Sequence, residues 1–405
     1  MTKSWGYTMV QSCKSEQKLK IAIACNILLD GKDTRANHML ELFNNLNKSY
    51  ETYLFVPKPK EIRVASPNII YVLWINIPIV RVILYHITLF FNLFILCKKA
   101  EINVIYARQE SFNIAPLIVS KLLNITYVVE INGLLLEEER LLGINERLIA
   151  LSRFSEKINY RYAARIISVT QEIKNCIIRR YNVPDEKIVV IENGANIDLF
   201  RPMEQDKLVL NLNLDENYNY VGYVGSFTRW HGLENVIKSA HLVLKVFNNT
   251  KFIFVGDGPL KEELFNLVDT LNLKNYFVFV GRVPHDKVPQ YINTFDVCMI
   301  LKDKNIPGSP LKLWEYMACG KPVVATNTND FKVLEKSDAG ILIDSEKYEN
   351  ISDAIINLLE NNELREKMGL NGRKYVVENH SWKRVAQNVS EVCQEAIRKK
   401  YMDIL

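Results

Sequence analysis

The chain lacks any Cys-x-x-Cys pair, and its seven cysteines have no spacing suited to a metal. An odd, scattered set of this kind points to reduced thiols in a cytoplasmic protein. There is only a modest excess of one charge. Lys and Arg total 51 and Asp and Glu 46, a net charge of +5. That suits contact with phosphates or acidic head groups and is too little for a nucleic-acid footprint. Residues 1–18 lack an apolar segment, so a loose tail is expected and a secretory signal is not. No Gly-x-Gly-x-x-Gly fingerprint occurs, which speaks against a nicotinamide dinucleotide.

What is present is globular: 405 residues, 48% hydrophobic and 24% charged, enough for two domains. One long apolar run stands out, "NIIYVLWINIPIVRVILYHITLFFNLFILC" from Asn68 to Cys97. Its length would span a bilayer. Asn76, Pro78, Arg81, His86 and Asn92 interrupt it, and a charge at mid-span is costly. Two readings stand instead: a buried strand followed by an amphipathic helix, or a helix lying in a membrane interface.

Short apolar strands alternate with helical stretches along the whole chain. The first series runs "KIAIACNI", "TYLFV", "NVIYA", "TYVVEI", "RIISVT" and "KIVVIENG". Residues 201–217 read as a polar, irregular linker. The series then restarts with "YVGYVGSF", "KFIFVGDGP", "YFVFVGRV", "DVCMIL", "KPVVAT" and "AGILID", and ends in helices. Such alternation predicts two doubly wound parallel sheets with a ligand cleft at the carboxyl ends of their strands.

Residues 308–326, "GSPLKLWEYMACGKPVVAT", carry the sharpest chemical signal. A turn leads into a helix near Leu311, and the first-turn N–H groups of Leu311 and Lys312 suit a phosphate. Glu315 lies about one turn further on, beside the apolar Leu313, Trp314 and Met317. A carboxylate there can accept two hydroxyl hydrogen bonds, as a ribose diol offers; a local Lys312–Glu315 salt bridge is the alternative. The loop in "GYVGSFTRWHG" adds Ser226, Arg229 and His231, and "VGDGP" ends a strand at Gly256.

These stretches, with "ARIISVTQEIKNCIIRRYNVPDEKIVVIENGANIDLFRP", "FVGDGPLKEEL" and "FVGRVPHDKVPQYINTFDVCMIL", resemble glycosyltransferase family 4 in order and spacing, from Lys20 to the C-terminal helices. The resemblance implies the α/β GT-B fold of two facing Rossmann-like domains. Residues 19–205 would form the acceptor domain and 206–380 the nucleotide-sugar domain, and 381–405 would cross back to the first. It implies sugar transfer from a nucleotide donor to a glycan or lipid-linked acceptor hydroxyl, with retention at the anomeric carbon. A membrane surface is a further expected partner, nucleic acid is not, and no cofactor is expected.

By position, Glu315 matches the family's ribose-binding glutamate. Leu311 and Lys312, with Ser309 and Pro310 before them, match the pyrophosphate site. Gly31 matches the first-domain phosphate loop. Gly281 and Arg282 match the loop that receives the base. Asn132 falls near the acceptor-side histidine, with Glu130 as its rival. Pro307 replaces the family's first glutamate. Ser226 and His231 occupy its Arg and Lys positions, which leaves Arg229 as a replacement cation and His231 as an assistant when protonated. Arg229, Lys312 and His231 are thus the expected groups that stabilise the leaving diphosphate. No Asp-x-Asp occurs, so a metal-independent reaction is expected. A nucleotide-sugar epimerase of the same architecture and a catalytically degraded binding protein are the rival readings.

Overall fold

The computed structural model describes residues 18–30, 34–75, 77–135, 140, 144–303 and 311–402. Two wholly parallel sheets carry the chain. The first contains β1 (Lys20–Ala24), β2 (Glu51–Pro57), β3 (Ile69–Val72), β4 (Val104–Arg108), β5 (Thr126–Ile131), β6 (Arg165–Ser168) and β7 (Ile188–Val190). The second contains β8 (Asn219–Val224), β9 (Thr250–Val255), β10 (Phe277–Gly281), β11 (Val297–Ile300), β12 (Val323–Thr326) and β13 (Gly340–Ile343). Every β4 and β5 residue is buried, as expected for strands covered by helices on both faces.

The spatial orders are β3-β2-β1-β4-β5-β6-β7 and β10-β9-β8-β11-β12-β13. Each reverses direction once, between β1 and β4 and between β8 and β11. In doubly wound sheets a crevice opens outside the carboxyl ends of the strands at that reversal. The topology therefore marks two half-sites, one near Asn26 and Arg108 and one near Gly225 and Lys302.

One face of the first sheet is covered by the helices Pro78–Lys99, Ala115–Leu123, Glu146–Tyr162 and Gln171–Tyr181. The other is covered by Thr34–Asn47 and by Trp382–Met402. The latter follows the second domain in sequence but buries Val385, Val389, Val392, Cys393 and Ala396 in the first-domain core. Each buried Val contributes about 1.5–3 kcal/mol and the smaller Cys and Ala less, so this last helix holds the domains together. The crossing is pinned where Ala195 donates to the His380 carbonyl (2.8 Å) and Trp382 donates back to Ala195 (3.2 Å).

Residues 201–217 are more ordered than a linker. They contain the helix Gln205–Asn211, which buries Val209 in the second-domain core. Its single buried position left too short an apolar period to read from sequence. The 68–97 run becomes β3 followed by the helix Pro78–Lys99. Tyr85, Leu89, Leu93 and Cys97 are buried at spacings of four, while Ile83, Ile87, Phe91 and Ile95 stay exposed. The helix is long and apolar enough to cross a membrane, yet one stripe of it packs on the sheet.

Candidate active site

The second-domain half-site is organised by the helix Leu311–Ala318. Leu313, Trp314, Tyr316 and Met317 are buried and fix its rotation. The Tyr316 hydroxyl accepts from the Val224 N–H (2.7 Å), tying the helix to the end of β8. Trp314 stacks on His380 at 3.7 Å, next to the domain crossing. Leu311 packs against the first-domain core, so this helix begins where the domains face each other.

Lys312 points to the turn after β8. Its Nζ donates to the Tyr223 hydroxyl (3.1 Å), lies 4.6 Å from the ring centre and covers Gly225. Burial, only partly countered by the charge of Glu315, pulls its pKa down to about 7. An ammonium this dehydrated is suited to an anion. Glu315 pairs with His285 instead of Lys312, with Oε1 2.9 Å from Nε2. Burial works against protonation of His285, but the Glu315 carboxylate outweighs it and raises the pKa above the usual value. His285, in a 3-10 turn after β10, went unrecognised in the sequence. It lies within "GRVPHDKV", but a lone His in a loop has no periodicity to mark it.

The remaining donor-side residues divide. Gly281, at the end of β10, has a φ of +83°, and a side chain there would meet only open space. Arg282 beside it is exposed. Both leave room for a planar group. Gly256 has a structural reason instead: a Cβ there would lie 1.9 Å from the Gly225 carbonyl oxygen, so the β8 and β9 turns need it for packing. Gly31, Pro307, Ser309 and Pro310 lie outside the described residues.

Arg229 and His231 depart from expectation. Arg229 is 78% exposed and pairs with Glu263 on the helix Lys261–Thr270 (3.4 Å), away from Lys312. A carboxylate one helix away satisfies it more cheaply than a buried cleft would. His231 lies 5.8 Å from the Tyr223 ring, with Nδ1 3.4 Å from the Leu301 carbonyl. Burial, and then the Lys312 charge, push its pKa down to about 2. In the empty site burial and the Lys312 charge therefore keep it neutral near pH 7. Lys302, just after β11, is a further cation of this half; it pairs with Asp330.

The first-domain half-site gathers polar side chains at the carboxyl ends of β1, β4 and β5. Glu130 is buried, with Oε1 2.8 Å from His38 Nε2. Burial raises its pKa, but His38 and Arg108 outweigh that and hold it below the usual range. Arg108 lies 4.0 Å from Glu110, which accepts from the Asn26 N–H (2.6 Å). Asn132 and Tyr106 bond to the Glu130 carboxylate, while the Asn26 Oδ1 and Arg108 Nη1 atoms are buried with no hydrogen-bond partner. Buried polar atoms of this kind normally have partners. The cluster holds both rival candidates, Glu130 and Asn132, side by side and adds His38, Arg108 and Tyr106. A charged residue ending the apolar "VIYAR" was the available signal for Arg108.

The first domain also reaches His285 electrostatically. Glu41, on the helix Thr34–Asn47, accepts from Asn196 Nδ2 (2.8 Å) and acts electrostatically on His285.

Comparison with known proteins agrees with this geometry. Residues 36–199 match the Glycosyltransferase Family 4 model, and residues 204–398 match Glycosyl transferases group 1. An uncharacterized glycosyltransferase of Methanocaldococcus jannaschii is 24% identical over 94% of this chain and 100% of its own length. The alpha-D-kanosaminyltransferase of Streptomyces kanamyceticus is 24% identical over 63% of this chain and 67% of its own. Among solved structures, sucrose-phosphate synthase from Thermosynechococcus elongatus superposes with a TM-score of 0.75 at 20% identity, covering 94% of this chain and all of that one. HepE of Anabaena, solved with UDP-glucose, gives 0.71 at 18% over 93% of this chain and 100% of its own. With two doubly wound parallel sheets and both halves matched, the chain belongs to glycosyltransferase family 4 and has the GT-B fold.

Proposed function

We propose that the protein transfers a hexosyl group from a nucleoside-diphosphate sugar to a hydroxyl of a glycan or lipid-linked acceptor. The configuration is retained and no metal takes part. The dehydrated Lys312 ammonium at the second switch point carries this reading. Loss of the nucleoside diphosphate builds negative charge on its bridging oxygen. Lys312 and the first-turn N–H groups of the Leu311–Ala318 helix would stabilise that charge. Glu315 would hold the ribose hydroxyls. The acceptor hydroxyl, oriented by the Glu130 and Asn132 group, attacks the sugar on the face the diphosphate leaves and gives its proton to the departing phosphate.

HepE's UDP-glucose makes that the first donor to try, followed by GDP-, ADP- and dTDP-sugars. Labelled sugar should appear in an acceptor product with EDTA present, and the product's anomeric proton should match the donor configuration. Epimerised donor, inversion or loss of activity with EDTA would each refute part of the reading.

The exposed Ile83, Ile87, Phe91 and Ile95 stripe supports a cytoplasmic protein lying peripherally on the membrane. Phe91→Ser with Ile95→Ser should release it from membrane fractions without unfolding it. A wild-type protein absent from those fractions would remove the proposal.

A further inference from the structure

We infer a second anion site, far from the cleft, that binds a phosphate group. A cavity of about 370 Å³ opens at the amino-terminal edge of the first sheet, where β5 begins at Thr126. That volume falls within the roughly 300–1,000 Å³ typical of ligand sites. Lys121, Tyr162, Lys399 and Lys400 line it, at the ends of three different helices. Layers from both faces of the sheet therefore meet here, including the helix that crosses back from the second domain.

The charge is crowded. Lys187 stands close by; burial, and then the charges of Lys121, Lys399 and Arg165, lower its pKa. Burial, with Lys121, lowers that of Lys400 as well. The partners on display are neutral. Lys187 donates to the Arg161 carbonyl (2.7 Å), Lys400 to the Asn124 carbonyl, and Lys121 lies 4.8 Å over the Tyr162 ring. Lysines at helix ends offset the negative end of the helix dipole. Three helices supply only about half a charge each, against four ammonium groups and Arg165. The surplus is positive, partly dehydrated and arranged around a cavity. A phosphate, with its concentrated charge and several acceptor oxygens, matches it.

The phosphate has two possible sources. Ile118 and Leu122, on the helix of Lys121, are exposed beside the cavity, which suits a lipid phosphate; free phosphate is the other. The test compares the full chain with Lys121→Gln/Lys399→Gln/Lys400→Gln and with the corresponding triple Arg variant. Inorganic phosphate is titrated against the unfolding midpoint. Flotation is measured on phosphatidylcholine vesicles with and without phosphatidic acid. We expect the Gln variant to lose about tenfold or more in apparent affinity and the Arg variant to retain it. Any phosphate effect surviving in the Gln variant belongs to the catalytic cleft. A lysine-dependent phosphate shift supports the site with a soluble source. Lysine-dependent flotation on phosphatidic acid alone supports it with a lipid source. Equal responses in wild type and Gln variant in both assays, or none in either, overturn the site.

Discussion

The two faces of the cleft hold their polar groups differently. On the second-domain side three charged groups of the described residues are paired: Lys312 on Tyr223, Glu315 on His285, Lys302 on Asp330. On the first-domain side, Asn132 and Tyr106 bond to Glu130, but the buried Asn26 Oδ1 and Arg108 Nη1 atoms beside them have no partner. A paired, packed set keeps its geometry when empty and loses little freedom on binding. Each buried unpaired group instead costs about 1–3 kcal/mol until something bonds it. The donor side is therefore preorganised, and the acceptor side holds unused hydrogen-bonding capacity that a polyhydroxylated acceptor or ordered water can meet.

The largest expected effect tests the donor side. Lys312→Gln should slow transfer by about a hundredfold or more, the scale for one preorganised charge-stabilising group. Its pH signature separates this from a packing defect. In the empty site the Lys312 pKa is lowered to about 7, and a bound diphosphate raises it. Binding above pH 7 therefore takes up a proton. Donor affinity should fall as pH rises past 7, by up to about tenfold per unit, until the bound-state pKa is reached. Calorimetry at pH 8 in two buffers of different ionisation enthalpy counts that proton. Lys312→Arg stays charged and should show no uptake; the same uptake in that variant would place the titrating group elsewhere.

Glu315→Ala comes next. It removes the ribose acceptor and leaves His285 without the carboxylate that raises its pKa. Donor affinity should fall by about 1.5–3 kcal/mol, the range for a hydrogen bond to a charged group. Affinity for inorganic pyrophosphate, which has no ribose, should not fall. Equal losses for both ligands would mean that Glu315 supports the helix rather than the ribose.

The acceptor side should respond in the opposite sense. Glu130→Gln keeps the shape and removes the charge facing His38 and Arg108. We expect the acceptor KM to rise about tenfold with donor affinity unchanged. A donor-side loss of the same size would erase the distinction between the two faces.

The same asymmetry governed what could be read from sequence. Twelve strands announced themselves as short apolar runs in two series; their spatial order, and with it both switch points, came from the structure. Lys312 and Glu315 were visible because they interrupt an apolar helix. His38 and His285 were not, since each gains its meaning from a carboxylate distant in sequence, Glu130 and Glu315. The helix Gln205–Asn211 was read as linker because only Val209 among its seven residues is buried. Arg229 was assigned a phosphate by proximity in sequence to Ser226 and His231, while the turn directs it outward to Glu263.

That last residue gives the smallest expected effect. An exposed Arg–Glu pair is worth about 0.2–1 kcal/mol and is screened by salt, so Arg229→Ala should cost little stability. Its guanidinium is directed to the Lys261–Thr270 helix, not to the Lys312 group. The transfer rate should stay within about threefold of wild type, whereas Lys312→Gln loses about a hundredfold or more. His231 sharpens the contrast: with a pKa pushed down to about 2, it contributes no titration near neutrality. A His231→Asn enzyme should therefore keep the wild-type pH profile even if its rate falls. Measuring rate against pH for both variants beside wild type decides the matter. A hundredfold loss in Arg229→Ala would mean that the loop swings its guanidinium into the cleft when the donor binds, and the donor side would then be less preorganised than its pairings indicate.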